Sequence, residues 1–252
     1  MKGQMKAVVY RGPGRVGIEV VPVPDLGPGD LLLRVRAASV CATDHKIVAH
    51  GHFKIPSETS RILGHEFVGE VVAANDAYPG LSPGTRVVVA PNLGCGRCRA
   101  CIQGLDNLCP HYEALGITVD GALARYVRVP ADFVRRGHVV ALPDDLGDRQ
   151  AALIEPLSTV VAAHEAVATR LGDRVVVVGA GPMGLMHVLV ARAAGAAAVA
   201  VIEPIESRRV MALSLGADMA VEPGESEEAI ANLTGGDGFD VVVVAVPVRD
   251  AQ

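Results

Sequence analysis

The chain has 252 residues, a formal net charge of −5 and five cysteines. The acidic balance gives no basic field for nucleic acid, and no stretch reads as a membrane span. The length suffices for two domains with real cores. With no Trp and 3% aromatic residues, those cores must be built from Val, Ala, Leu and Ile.

No signal peptide precedes the strand-like Lys6-Ala7-Val8-Val9-Tyr10, so a cytoplasmic location is expected. Residues 6–10, 16–21 and 31–37 read as strands, separated by Gly12-Pro13-Gly14 and by Pro24 to Gly29. Cys41 follows the third strand. Thr43-Asp44 then reads as a helix start, with side-chain oxygens able to cap free N–H groups. A cysteine near a helix N-terminus is held as thiolate more easily, which suits a metal. His45, His50 and His52 fit an ordinary solvated loop better than a site.

Gly64-His65-Glu66-Phe67-Val68-Gly69-Glu70-Val71 comes next. A thiolate (Cys41), an imidazole (His65) and carboxylates (Glu66, and Glu155 far along the chain) suit Zn²⁺, and three protein ligands leave one position open for water or substrate. Read alone, the pair is better taken as a buried His-Glu at a strand start, with Cys41 a core thiol. If the backbone is extended, His65 and Glu66 cannot point the same way. That makes Cys41, His65 and Glu155 the expected set, with Glu66 alternating or standing behind them.

Residues 67–73 and 85–90 read as strands. Cys95, Cys98, Cys101 and Cys109 then give Cys-x₂-Cys-x₂-Cys-x₇-Cys. This spacing folds a short loop around one tetrahedral metal with no water position left, and clustering of this kind in a reducing compartment favours a metal over disulfides. An iron–sulfur cluster uses similar runs, and a nucleic-acid zinc ribbon could carry Arg97 and Arg99. Structural zinc is the reading taken, because the charge balance and the neighbouring motifs fit neither rival. Residues 121–129 and 139–142 read as strands, 148–154 as a short helix and 157–169 as a longer one. Glu155 could serve that helix simply as N-terminal charge.

Arg174-Val175-Val176-Val177-Val178 is the mark of a parallel strand buried on both faces. Gly179-Ala180-Gly181-Pro182-Met183-Gly184 follows, then a helix, then a strand 198–202 ending in Glu203. Strand, glycine turn, helix and acidic strand end together make a dinucleotide fingerprint, with Gly179, Gly181, Pro182, Met183 and Gly184 around the pyrophosphate. Glu203 would bond the ribose hydroxyls and repel a 2′-phosphate, so NAD is favoured. Arg208 is expected against the adenine, although Arg208 and Arg209 keep NADP as the second reading. Residues 207–215 and 225–233 read as helices, and 219–221 and 240–245 as strands.

Cys41-Ala42-Thr43-Asp44, the 64–71 run and Glu155-Pro156-Leu157-Ser158 together resemble the zinc-dependent medium-chain dehydrogenases, nearest to the sorbitol (polyol) and threonine dehydrogenase branch. The resemblance covers the whole chain, including the four-cysteine lobe. It implies an α/β-plus-β protein. Residues 1–150 would form a GroES-like, partly open β-barrel with a zinc lobe at about 94–110. Residues 151–252 would form the first portion of a Rossmann domain, a doubly wound parallel sheet.

The activity implied is NAD-linked oxidation of a secondary alcohol or polyol, with one catalytic and one structural zinc. Thr43 would take the alcohol proton. The family often passes it to a histidine five residues after the cysteine, where this chain has Lys46, so Lys46 would bond the cofactor or end the relay in solvent. The expected partner is a small alcohol, with neither nucleic acid nor membrane. The family's sheet has six strands and pairs between subunits through the last. Four are read here, so an early stop, poor turnover, an exposed fourth strand and no family-type oligomer are expected. The rival class is a zinc- and nucleotide-binding remnant without turnover.

Overall fold

The computed structural model describes residues 3–74 and 76–246, with side chains for all of these except 226–228. The chain forms two compact units, divided after Glu155. The first begins with β1 (Gln4–Tyr10), β2 (Val16–Pro22), β3 (Leu31–Ala38), α1 (Ala42–His50) and β4 (Arg61–Ile62). It continues with β5 (Phe67–Ala74), β6 (Arg86–Val89), β7 (Asn92–Leu93), α2 (Arg99–Ile102) and β8 (Glu113–Ala114). It closes with β9 (Tyr126–Val129), α3 (Ala131–Arg135), β10 (Val139–Ala141) and α4 (Asp148–Ala151).

The five-stranded sheet β10-β6-β5-β3-β9 and the three-stranded sheet β2-β1-β4 are antiparallel and make a partly open barrel. Alternation explains why. Leu31, Leu33, Val71, Val87, Val127 and Val129 point into one core, which Phe133 of α3 plugs. Met5, Ala7, Val9, Leu32 and Ile62 fill a second core under the small sheet. β3 and β5 slip register between Leu32 and Leu33 and again between Val35 and Ala37. An extra residue bends a strand and re-aims the chain beyond it. In β3 the re-aimed segment is Ser39 to Cys41.

The run 121–129 is strand only from Tyr126. Gly121, Ala122 and Leu123 donate instead to the carbonyls of Ile62, Gly64 and Leu63. They brace the segment that leads to His65. The helix α5 (Ile154–Ala166) starts earlier than 157, with Glu155 inside its first turn.

The second unit holds β11 (Arg174–Val178), α6 (Pro182–Ala193), β12 (Ala198–Ile202), α7 (Glu206–Ser214), β13 (Met219–Val221), α8 (Ser226–Thr234) and β14 (Val241–Val244). Its sheet is parallel in the order β13-β12-β11-β14. Val175, Val177, Val199, Val201 and Val188 make its core. Val242 and Val244 of β14 are exposed, and among the described residues no strand pairs with its outer edge. No helix is long and apolar enough to cross a membrane among the described residues.

Candidate metal centres and nucleotide cradle

Cys41 is the residue before the first turn of α1, so the helix starts at Ala42, one residue ahead of Thr43-Asp44. Asp44 sits in the third helical position and is buried. Its Oδ2 accepts the Cys41 N–H at 3.0 Å, and its Oδ1 accepts the Gly64 N–H at 3.2 Å. One carboxylate thus joins the backbone at Cys41 to the backbone at Gly64. Oδ1 also lies 3.8 Å from Nδ1 of His65.

Gly64 has φ +95°, and a Cβ on Gly121 would stand 2.1 Å from the Gly64 carbonyl oxygen. Only bare backbone fits there, and the close stack fixes where His65 leaves the chain. His65 and Glu66 precede β5, outside regular strand. Their side chains nonetheless reach one point. Their ligand atoms and the sulfur of Cys41 all lie within 4.8 Å of one another. Ser39 Oγ donates to Glu66 Oε2 and orients that carboxylate.

Glu155 stands outside this group of three but close enough to act electrostatically on His65. Burial pulls the His65 imidazole down, yet the Cys41 sulfur and the Asp44 and Glu155 carboxylates outweigh it and raise it to about 9. Burial chiefly, then Glu66 and Asp44, push the Glu155 carboxyl up. The pocket therefore favours a positive guest. Among the described residues His65 Nδ1 is buried with no hydrogen-bond partner, with Asp44 Oδ1 3.8 Å away. The donor set of sulfur, nitrogen and oxygen fits zinc. Thr43 is half-buried one residue into α1, and Lys46 is exposed one turn later.

The sulfurs of Cys95, Cys98, Cys101 and Cys109 also lie within 4.8 Å of one another, and all are free thiols. Tetrahedral ligation at about 2.3 Å needs sulfurs about 3.8 Å apart, so the four fit one closed zinc site. The Cys95 sulfur is held down to about 6 by the backbone N–H groups of Arg97 and Cys98, while burial pushes the Cys101 thiol up to about 12. A ring of donors with one thiolate already favoured is poised for a cation. Arg136 anchors the lobe, donating to the Gly94 carbonyl and to Asp106.

In the second unit, β11 runs into Gly179 at φ +97°. A Cβ at Gly184 would stand 1.9 Å from the Gly179 carbonyl oxygen, whereas one at Gly181 would meet nothing within 4 Å. The first contact packs helix to strand, and the open space at Gly181 is a cradle into which a pyrophosphate fits. Pro182 opens α6 with its preset φ, and the first-turn N–H groups of Met183 and Gly184 have no intrahelical acceptor. Glu203 is 3% exposed. Its Oε2 accepts the Ala180 N–H at 2.7 Å and its Oε1 the Ile205 N–H at 3.0 Å. The carboxylate is thus part of the glycine turn. Arg208 lies 3.8 Å from it and half-exposed. Arg209 is taken up by the Glu203 and Pro204 carbonyls and by Glu222.

Sequence reasoning did not find Asp44 as the bridge, Ser39, or the stack of Gly64 against Gly121. The Asp three residues after Cys41 was the available signal, read only as a cap.

Two family models match: the alcohol dehydrogenase GroES-like domain over residues 27–144, and the zinc-binding dehydrogenase domain over residues 182–252. The chain is 37% identical to sorbitol dehydrogenase of Bacillus subtilis, over 94% of this chain and 67% of that protein. It is 36% identical to L-threonine 3-dehydrogenase of Pyrococcus horikoshii, over 96% and 69%. A zinc-binding dehydrogenase of Sinorhizobium meliloti, solved with NADP, superposes with a TM-score of 0.87 at 34% identity, covering 98% of this chain and 71% of that one. The 2R,3R-butanediol dehydrogenase of Bacillus subtilis superposes at 0.83 with 31% identity, covering 95% and 70%. The chain belongs to the zinc-binding alcohol dehydrogenase family of oxidoreductases.

Proposed function

We propose that this chain belongs to an NAD-linked oxidation of a secondary alcohol carrying a neighbouring polar group. Sorbitol, threonine and butanediol, the compounds that name the relatives, share that unit. The observation that carries the reading is the convergence of Cys41, His65 and Glu66 around a point that Asp44 fixes from both sides. When bound, zinc supplies the Lewis acid that makes an alcohol O–H acidic, and NAD supplies the hydride acceptor.

The chain's own residues do the rest. Cys41, His65 and Glu66 hold the metal, with Glu155 as the carboxylate in reserve. Thr43 accepts the alcohol proton. Lys46 lies three residues on, on the same helix face, and its exposure lets the proton leave to water. Gly179 to Gly184 cradle the pyrophosphate. Glu203 puts negative charge where a 2′-phosphate would sit, and Arg209 is already engaged, so NAD is favoured over NADP. Five free cysteines suit a reducing compartment, the cytoplasm.

The test is NAD reduction over a panel of polyols and diols, with Thr43→Ala beside the parent. Loss of a positioned proton acceptor lowers kcat by about 100-fold or more. Retention of the parent rate in Thr43→Ala contradicts the role, and activity with NADP alone contradicts the cofactor.

A further inference from the structure

The chain between two residues of the candidate centre, Cys41 and His65, consists of α1, a stretch 51–60 without helix or strand, and β4. That stretch is a tight turn. Ile55 N–H donates to the His52 carbonyl at 2.9 Å, and Lys54 N–H to His52 Nδ1 at 3.2 Å. Phe53 stands at its tip, 87% exposed, with its ring stacked on His52.

Two contacts hold the turn. Ile55 is buried in a cluster with Ile47, Leu63, Ala114 and Ile117. The Lys54 ammonium donates to the Tyr112 carbonyl at 2.9 Å and lies 3.6 Å from the centre of the Tyr112 ring. Tyr112 in turn donates its N–H to the Cys109 carbonyl at 3.2 Å. Cys109 is buried, and its sulfur accepts the N–H groups of Cys95 and His111. Only Pro110 and His111 therefore separate the fourth thiolate of the lobe from the anchor of the loop.

We propose that Lys54 is a positioning residue that ties the loop between Cys41 and His65 to the four-cysteine lobe, so that a metal in the lobe orders that loop. The proposal rests on the metal reading of the lobe. A carbonyl dipole and an aromatic face are the partners, and among the described residues Lys54 forms no ion pair. The link is thus less exposed to salt screening than a surface charge pair. Without metal the Cys109 turn loses its closure, Tyr112 moves with it, and the ammonium loses both partners at once. Phe53 would then be displayed by a loose turn rather than a fixed one.

Chymotrypsin cleavage after Phe53, the most exposed of the chain's aromatic residues, reads the looseness without needing turnover once each rate is divided by that of the same chain unfolded in urea, because position 54 adjoins the cut bond. The comparison is the metal-loaded full chain, Lys54→Met, Lys54→Arg, and a Cys98→Ser/Cys101→Ser chain that cannot close the lobe. Cleavage should rise about fivefold or more in Lys54→Met, the lower range of coupling between sites, and stay near the parent in Lys54→Arg. The lobe variant should match Lys54→Met, and the combined variant should be no faster than either.

Cleavage at the parent rate in the lobe variant, or effects that multiply, overturn the link. Should the lobe variant fail to fold by circular dichroism, coupling demands that Lys54→Met release lobe zinc to a chromogenic chelator faster than the parent, by the same factor. An unchanged release rate overturns the link equally. A parent lobe that holds no metal at all overturns the lobe reading instead, separately from the Lys54 result.

Discussion

Asp44 is the residue on which the candidate centre depends most. Both its oxygens accept backbone N–H groups, one from each ligand-bearing loop. Asn offers one acceptor and turns an NH₂ toward the other donor. Asp44→Asn should therefore weaken metal at this centre by about 10- to 100-fold, as lost outer-shell support does, while lobe metal stays. Competition with a fluorescent chelator measures it, and equal affinity in both chains contradicts the bridging role. Gly121→Ala makes a second test. Its Cβ would meet the Gly64 oxygen at 2.1 Å, so the backbone must shift, at about 1–3 kcal/mol. Urea denaturation should show that loss, and parent stability would mean the stack is loose. Glu203→Gln keeps an acceptor for Ala180 N–H but removes the charge. Its preference for NAD over NADP should shrink about tenfold, read by titration of both reduced cofactors. Unchanged discrimination would place the determinant elsewhere.

At the scale of elements, α5 and α6 meet through a buried histidine pair. His187 Nδ1 lies 3.1 Å from His164 Nε2, and His164 Nδ1 lies 2.8 Å from Thr169 Oγ1. Burial, then the neighbouring imidazole, pulls His187 down to about 4, and burial lowers His164 too. Both rings are held neutral in the fold. Between the free value near 6.5 and about 4, the unfolded chain binds protons that the folded chain refuses. Stability is then full above about pH 6.5 and falls as pH drops toward 4. His187→Gln, which can still pair with His164, should flatten this acid limb in denaturant midpoints taken from pH 7 to pH 4.5. An unaltered slope assigns the limb to other groups.

How legible each element was depends on how local its cause is. The cysteine lobe was plain in the sequence because its four ligands lie between 95 and 109. The valines of β11 and the glycine turn announced themselves for the same reason. β4, β7 and β8 are two residues each and exist only because partners from far along the chain lie beside them. The strand read over 121–129 shortened to Tyr126–Val129 because Gly121 to Leu123 answer to residues 62–64, a pairing no local pattern encodes. His65 and Glu66 could be named as ligands. That they face the same point is due to Gly64, to the start of β5 at Phe67 and to Asp44, all set by contacts across the chain.

At the scale of the molecule, the two units carry separate chemistry. The first holds two groups of side chains that could take a metal ion, and the second holds the glycine turn proposed for the nucleotide. The chain spans 67% and 69% of the length of the sorbitol and threonine dehydrogenases it matches, and the family chemistry belongs to those whole lengths. The proposed chemistry requires the first unit to hold two metals by independent sets of residues. Elemental analysis of chain purified without chelator measures this directly. The parent should carry two zinc equivalents, Cys41→Ser one, and Cys98→Ser one. Loss of both or of neither in Cys41→Ser, or an iron–sulfur absorption band in the parent, would contradict it.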